Sequence, residues 1–213
     1  MTPQEARAVV ANLPTARERW LTQTVSTVQA EALWLAGSLG RGGGDAWSDV
    51  DLIVVDGHPA LDDALLVLEQ PSNGPVGGGY VGAMYDIGPL TLWVDWYLWP
   101  PGIEVPDDTR LLLGHGTPGN LGLGEALDHL GRGRPGPMPD PALFSLAMLP
   151  LAAKFIARGQ GEAALAMTTM LGAPPDLDPL DGLMTVLSRI AGHATVRDRV
   201  ERYLQVVSTL VRG

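Results

Sequence analysis

The sequence predicts an α+β fold, with a small mixed β-sheet and its helices in the N-terminal part and an α-helical bundle at the C-terminus. Three observations predict it. Short apolar and β-branched runs bounded by glycine and proline recur between Leu33 and Leu113. A glycine- and proline-rich passage containing GRGRPGPMPDP follows them. Beyond Pro141 the apolar spacing is helical throughout. The implied organisation is a sheet domain over residues 1–115, a Gly/Pro-rich connection over 116–140, and a helical domain over 141–213.

Each element has its own warrant. Thr2-Pro-Gln-Glu5 has the form of a capping box with proline at the first helical position, so a helix starts near Pro3. Pro14 interrupts it, Thr15-Ala-Arg-Glu18 repeats the capping signal, and a second helix runs to about Ala30. Leu33 to Ala36 reads as a buried strand and Val50 to Val55 as the next, closed by Asp56-Gly57. Leu61, Leu65 and Leu68 are spaced for a helix over Pro59 to Glu69. Tyr80 to Ile87 and Leu90 to Trp99, separated by Gly88-Pro89, read as a hairpin. Arg110 to Leu113 reads as a further short strand, and Leu127 and Leu130 suit a short helix within the connection. Helices are expected over 142–158, with a kink at Pro150, and over 162–171, 179–192 and 195–211.

Composition narrows the setting. The chain has 213 residues, no cysteine and a formal net charge of -10. Without cysteine no disulfide framework can form. MTPQEARAVV carries charge early and lacks an apolar signal core, and no run reaches the ~20 apolar residues that cross a bilayer. A soluble, cytoplasmic protein is expected, with no membrane partner. An excess of 24 Asp+Glu over 14 Lys+Arg argues against nucleic acid as a partner. It would draw a cationic small molecule, and solubility alone also accounts for it.

The most informative stretch is LWLAGSLGRGGGDAWSDVDLIVV. Side chains two apart on a strand share a face, so Asp49 and Asp51 project together. Neighbouring carboxylates repel unless a cation lies between them, and hard oxygen ligands suit Mg²⁺. Gly37 and Ser38 stand where an apolar strand enters a tight turn, a place where backbone N–H groups can cradle phosphate. Together these residues describe a metal–triphosphate site. Arg41 follows three residues after Ser38 and could pair with the triphosphate or simply face solvent. Asp95 is isolated in the apolar run LTLWVDWYLWP, which is unfavourable unless it has a partner. Alternation puts Trp93, Asp95, Tyr97 and Trp99 on one face. Trp93, Trp96, Trp99 and Tyr97 read first as core or rim aromatics, with stacking on a nucleobase or a cationic sugar as the alternative. The four histidines lack metal-ligand spacing and receive no role.

Gly-Ser, about ten residues, then Asp-x-Asp between apolar residues resembles the signature of the polymerase-β-like nucleotidyltransferase superfamily. GSLGRG…WSDVDL is most similar to the branch that holds the aminoglycoside and lincosamide antibiotic nucleotidyltransferases. The strong likeness spans roughly Leu33 to Val55, with a weaker one to Leu113 and a faint one at 154–159.

The resemblance implies Mg²⁺-dependent transfer of a nucleoside monophosphate, AMP from ATP, to a hydroxyl of a small, cationic, antibiotic-like acceptor. It implies Asp49, Asp51 and Asp95 as metal ligands, with Asp95 also a candidate base and Asp86 its alternative. Gly37, Ser38, Arg41 and Lys154 would hold the nucleotide. The glutamate that several aminoglycoside enzymes use as base has no counterpart that can be placed. A protein-AMPylating, antitoxin-type enzyme and a non-catalytic nucleotide-binding protein of the same fold are the alternatives. A homodimer is one assembly state left open.

Overall fold

The computed structural model describes residues 1–213. Helix α1 (Pro3–Ala11) starts where its capping box places it. The Thr2 hydroxyl accepts from the Glu5 N–H at 3.2 Å, and the Thr2 N–H donates to the Glu5 carboxylate at 2.7 Å. Helix α2 (Leu13–Thr27) begins ahead of the second capping signal, so Thr15 is an interior residue rather than a cap. Pro14 lies in its first turn, where a missing N–H removes no helix bond.

The chain then forms β1 (Ala30–Ala36), a single helical turn α3 (Gly37–Gly40), β2 (Val50–Gly57), β3 (Ala64–Glu69), β4 (Gly79–Asp86), β5 (Thr91–Trp99) and β6 (Arg110–Gly114). The strands make one mixed sheet in the order β3-β4-β5-β2-β1-β6. β1 pairs antiparallel with β2 and β6, β3 pairs antiparallel with β4, and β2 and β5 run parallel.

The helical reading of residues 59–69 is overturned, because Ala64–Glu69 is β3. Leu61, Leu65 and Leu68 have helical spacing, but Leu66 and Leu68 are the buried pair and alternate with half-buried Leu65 and Val67. Pairing with β4, from Ala64 opposite Tyr85 to Glu69 opposite Val81, selects the period of two.

The sheet buries both faces. Leu33, Leu35, Val50, Leu52, Val54, Val94 and Trp96 pack on one side beneath Trp20, Leu21 and Val25 of α2. Trp34, Ala36, Ile53, Val55 and Trp99 pack on the other beneath α4 (Leu123–Leu130), which supplies Ala126 and Leu127. Strands covered on both faces read as continuous apolar runs, which explains LIVV in β2.

The remaining helices are α5 (Pro141–Ala157), α6 (Gly161–Met170), α7 (Pro179–Arg189) and α8 (Ala194–Arg212). Asp140 caps α5, accepting from the N–H groups of Ala142 and Leu143 at 2.8 and 3.0 Å, and Asp178 caps α7 through Leu180 at 3.0 Å. α5 packs against α6, α7 and α8, and it runs on through the buried Pro150.

Two compact units result. One comprises residues 14–87 and 92–138, and the other residues 1–13, 88–91 and 139–213. The boundaries expected from composition therefore shift. Residues 1–13 join the C-terminal helices because α1 packs on α8. The Gly/Pro-rich passage up to Met138 belongs to the sheet unit, anchored by α4. No helix is long and apolar enough to cross a membrane.

One buried group makes an alkaline prediction. The Tyr85 hydroxyl donates to the Ala60 carbonyl at 2.6 Å and accepts from the Trp96 indole N–H at 3.1 Å. Burial pushes its phenol up to about 12 from the ordinary value of 10.0. A raised phenol stays neutral in the fold while the unfolded chain ionises. The stability it contributes is therefore whole below about pH 10 and is lost as pH climbs toward 12. Thermal melts across this window should show the midpoint falling, with phenolate absorbance rising in step. In Tyr85→Phe the neutral-pH stability should drop by about 1–3 kcal/mol, because the Trp96 N–H loses its acceptor. The alkaline fall should become shallower at the same time.

Candidate functional site

The site starts at the end of β1. Ala36, the last residue of β1, pairs with Asp51 of β2, and the chain then turns at Gly37 with a φ of +62°. Only glycine adopts that backbone readily. Space demands glycine as well, since a Cβ on residue 37 would lie 2.2 Å from Asp51 Oδ2. The Asp51 carboxylate thus rests directly on the Gly-Ser turn. Ser38 is the second residue of α3, and the cap position falls to Ala36, which offers no side-chain hydrogen bond. Ser38 is therefore not a capping residue.

β2 and β5 bring the acids together. The parallel register sets Asp51 opposite Asp95, with Val50 opposite Val94 and Leu52 opposite Trp96. Val50, Leu52, Val94 and Trp96 enter one core face, so Asp51 and Asp95 share the other. Asp95 is held by two donors that converge on Oδ1: the Tyr80 hydroxyl from β4, and the Trp93 indole N–H at 2.8 Å. Donors to a carboxylate favour its ionised form. Tyr80 itself is pushed far up by burial, then by the Asp95 charge and hydrogen bond, and stays a neutral donor. Tyr97 is raised by burial and then by the charges of Asp95 and Asp51, with Arg132 opposing. Its ring meets Tyr80 edge-on at 5.4 Å. The result is a carboxylate pair on one sheet face, bordered by two neutral phenols and an indole, with Arg132 close enough to be felt.

Asp49 stands just ahead of the paired register. It lies one residue before β2 begins, so it has no place in the ladder that fixes Asp51. β1 ends at Ala36 opposite Asp51, and the register of β2 with β5 begins at Val50 opposite Val94. No group of three or more His, Cys, Asp or Glu side chains stands together as a ready metal centre. The register sets Asp51 beside Asp95, with Asp49 two residues ahead of Asp51 at the entry to β2.

Each of the other expected residues has its own setting. Arg41 donates to Asp108 at 2.6 Å, and Asp108 also accepts the Leu123 N–H at 2.9 Å, which ties the glycine-rich loop to the start of α4. Lys154 is buried on α5 of the helical unit, and Gly37, Ser38, Arg41, Asp49, Asp51 and Asp95 are residues of the sheet unit. Asp86 is exposed at the end of β4, well along the strand from Tyr80. Trp96 and Trp99 are core residues at 0% and 2% exposure and are closed to any ligand, whereas Trp93 and Tyr97 stay half-buried at the acid pair.

Two contributors escape a reading of the motif alone. Trp93 shares the Asp95 face by alternation, but its role as a donor to Asp95 shows only in the fold, where Gly82 leaves the room its ring fills; a Cβ there would lie 2.2 Å from the indole. Tyr80 carries no such signal, because only strand pairing brings β4 beside β5. In comparison with known proteins, no family model and no curated protein matches this chain.

Proposed function

We propose that this protein is a Mg²⁺-dependent nucleotidyltransferase of the polymerase-β-like type, moving AMP from ATP to a hydroxyl of a small cationic acceptor. On this reading the sheet unit is the nucleotidyltransferase domain and the C-terminal helices form the bundle that accompanies it. The observation that carries the reading is the seating of Asp51 against Gly37 beside an in-register Asp95. A Gly-Ser turn, which suits phosphate, and two hard carboxylates, which suit a divalent cation, meet at one point.

The donor set fits Mg²⁺, which takes one or two carboxylates and completes its shell with water and substrate phosphate. Asp51 and Asp95 would hold it, with Asp49 reaching in from the approach. Bound there, the cation supplies charge neutralisation on the phosphate oxygens. The chain does the rest. The Gly37-Ser38 turn presents backbone N–H groups and the Ser38 hydroxyl to the phosphates. Arg41 holds Asp108 through Nη1 and has further N–H donors for the phosphates. Tyr80 and Trp93 fix the orientation of Asp95, and their two hydrogen bonds suit it to hold charge more than to accept a proton.

Titration calorimetry with ATP and Mg²⁺, followed by pyrophosphate release across acceptors, tests this. Cation-dependent ATP binding with release only when an aminoglycoside- or lincosamide-like hydroxyl is present is the expected result. Transfer to a protein hydroxyl would redirect the acceptor assignment. Binding without turnover on any acceptor would support a nucleotide-binding role, and no binding would sink the proposal.

Asp95→Asn separates the roles of that residue. A pure base would leave Mg²⁺–ATP affinity intact while slowing the chemical step by about 10²–10⁴-fold. The expected outcome is that affinity and turnover fall together, because Asp95 acts chiefly as a ligand. Unchanged turnover would remove it from the site.

A further inference from the structure

Arg17 is one of the few charged side chains in the interior of this protein, at 7% exposure. A guanidinium out of water is unfavourable unless its N–H groups are used. Its Nη1 donates to two backbone carbonyls, those of Asp45 at 3.1 Å and Ser48 at 2.9 Å. These carbonyls mark the two ends of one tight turn. Inside it, the Ser48 N–H donates to the Asp45 carbonyl at 3.3 Å, and the Ser48 hydroxyl donates to Asp45 Oδ1 at 2.9 Å. The same hydroxyl accepts the Asp45 N–H at 2.9 Å, and Asp45 Oδ1 takes the Trp47 N–H at 3.0 Å. The turn is thus a knot closed on itself, and Arg17 fastens both ends to α2.

The next residue is Asp49. The Ser48 carbonyl belongs to the peptide that links Ser48 to Asp49, so the guanidinium grips the peptide plane from which Asp49 hangs. Asp49 precedes the first paired residue of β2, so its backbone position is set from the turn that Arg17 holds. Charge points the same way. Burial lowers the affinity of Arg17 for its proton, and the fields of Asp45, Glu18 and Asp49 oppose that loss.

We propose that Arg17 is a positioning residue for Asp49, acting through the Asp45–Ser48 turn to place that carboxylate at the cation site. The role rests on the nucleotidyl-transfer reading above. It accounts for a buried arginine at the base of the glycine-rich loop, and it assigns the WSD part of the motif a mechanical duty.

The test is a double-mutant cycle on the full chain. Binding of Mn²⁺ with an α,β-methylene ATP analogue is measured for wild type, Arg17→Met, Arg17→Lys, Asp49→Asn and Arg17→Met/Asp49→Asn, with thermal melts alongside. Arg17→Met should weaken binding by about 10-fold, and adding Asp49→Asn should weaken it little further, the non-additivity expected of groups that act as a unit. Arg17→Lys should recover most of the affinity, because an ammonium can still donate to both carbonyls.

A purely structural arginine would lower the melting temperature while the two binding losses multiply. That result, or wild-type binding in Arg17→Met, overturns the proposal. If Arg17→Met does not fold, Ser48→Ala replaces it: the hydroxyl bridge is lost, the carbonyls remain, and the same non-additivity with Asp49→Asn is required. Failure of the wild type to bind Mn²⁺ and the analogue would instead bring down the nucleotidyl-transfer reading, and this role with it.

Discussion

Asp51→Ala should abolish nucleotidyl transfer, by at least ~10³-fold, beyond what a single electrostatic donor usually contributes, and leave the fold intact. The two halves of this expectation have one cause. Asp51 and Asp95 lie opposite each other on adjacent parallel strands, where two like charges on one face repel. Removing one charge relieves the pair, so the melting temperature of the cation-free protein should stay level or rise. Binding of Mg²⁺–ATP should collapse together with turnover. The discriminating measurement is the melting temperature with and without Mg²⁺–ATP. Wild type should gain stability from the ligand by mass action, and Asp51→Ala should gain none. Normal turnover in Asp51→Ala would end the proposed function.

Gly37→Ala should be nearly as damaging although it removes no chemical group. Alanine at a φ of +62° costs about 1–2 kcal/mol in backbone strain. The larger effect is local. The new methyl would sit 2.2 Å from Asp51 Oδ2, so either the turn or the carboxylate must move. A displacement of that kind at a reacting centre is enough for a loss of about 10²-fold. Turnover is therefore expected to fall far more than stability, and a crystal structure should show Asp51 rotated away from the turn. A variant with full activity would mean that Asp51 does not work from this position.

These two residues also show how much the sequence disclosed. Gly37, Ser38 and Asp51 lie in one local stretch, where strand, turn and strand periodicity place them without knowledge of the fold. Asp95 could be singled out as an acid inside an apolar run, but its partner could not, because the Asp51–Asp95 register is a property of the sheet. Tyr80 was illegible for the same reason. Residues 59–69 went wrong because leucines at 61, 65, 66 and 68 satisfy both the helical and the strand period, and only pairing with β4 decides between them. Arg41 reads as a phosphate partner or a surface residue from its distance to Ser38, and its ion pair with Asp108, distant in sequence, is visible only in the fold. Helix boundaries with proline or Asp caps, at Pro3, Pro141 and Pro179, were legible because their signals are local.

The parallel pairing of β2 with β5 has a consequence for the birth of the site. β3 and β4 lie between them in sequence, so Asp51 and Asp95 meet only after that whole stretch has been gathered and a large loop closed. Closing a loop of this length costs more entropy than forming the local β1–β2 and β3–β4 pairings. A chain emerging from the ribosome carries Asp51 exposed beside the Gly-Ser turn for as long as it takes to synthesise through β5. During that interval the strand that carries Asp95 is missing, and the proposed cation site is incomplete. Competence arrives in one step, with the docking of a single strand.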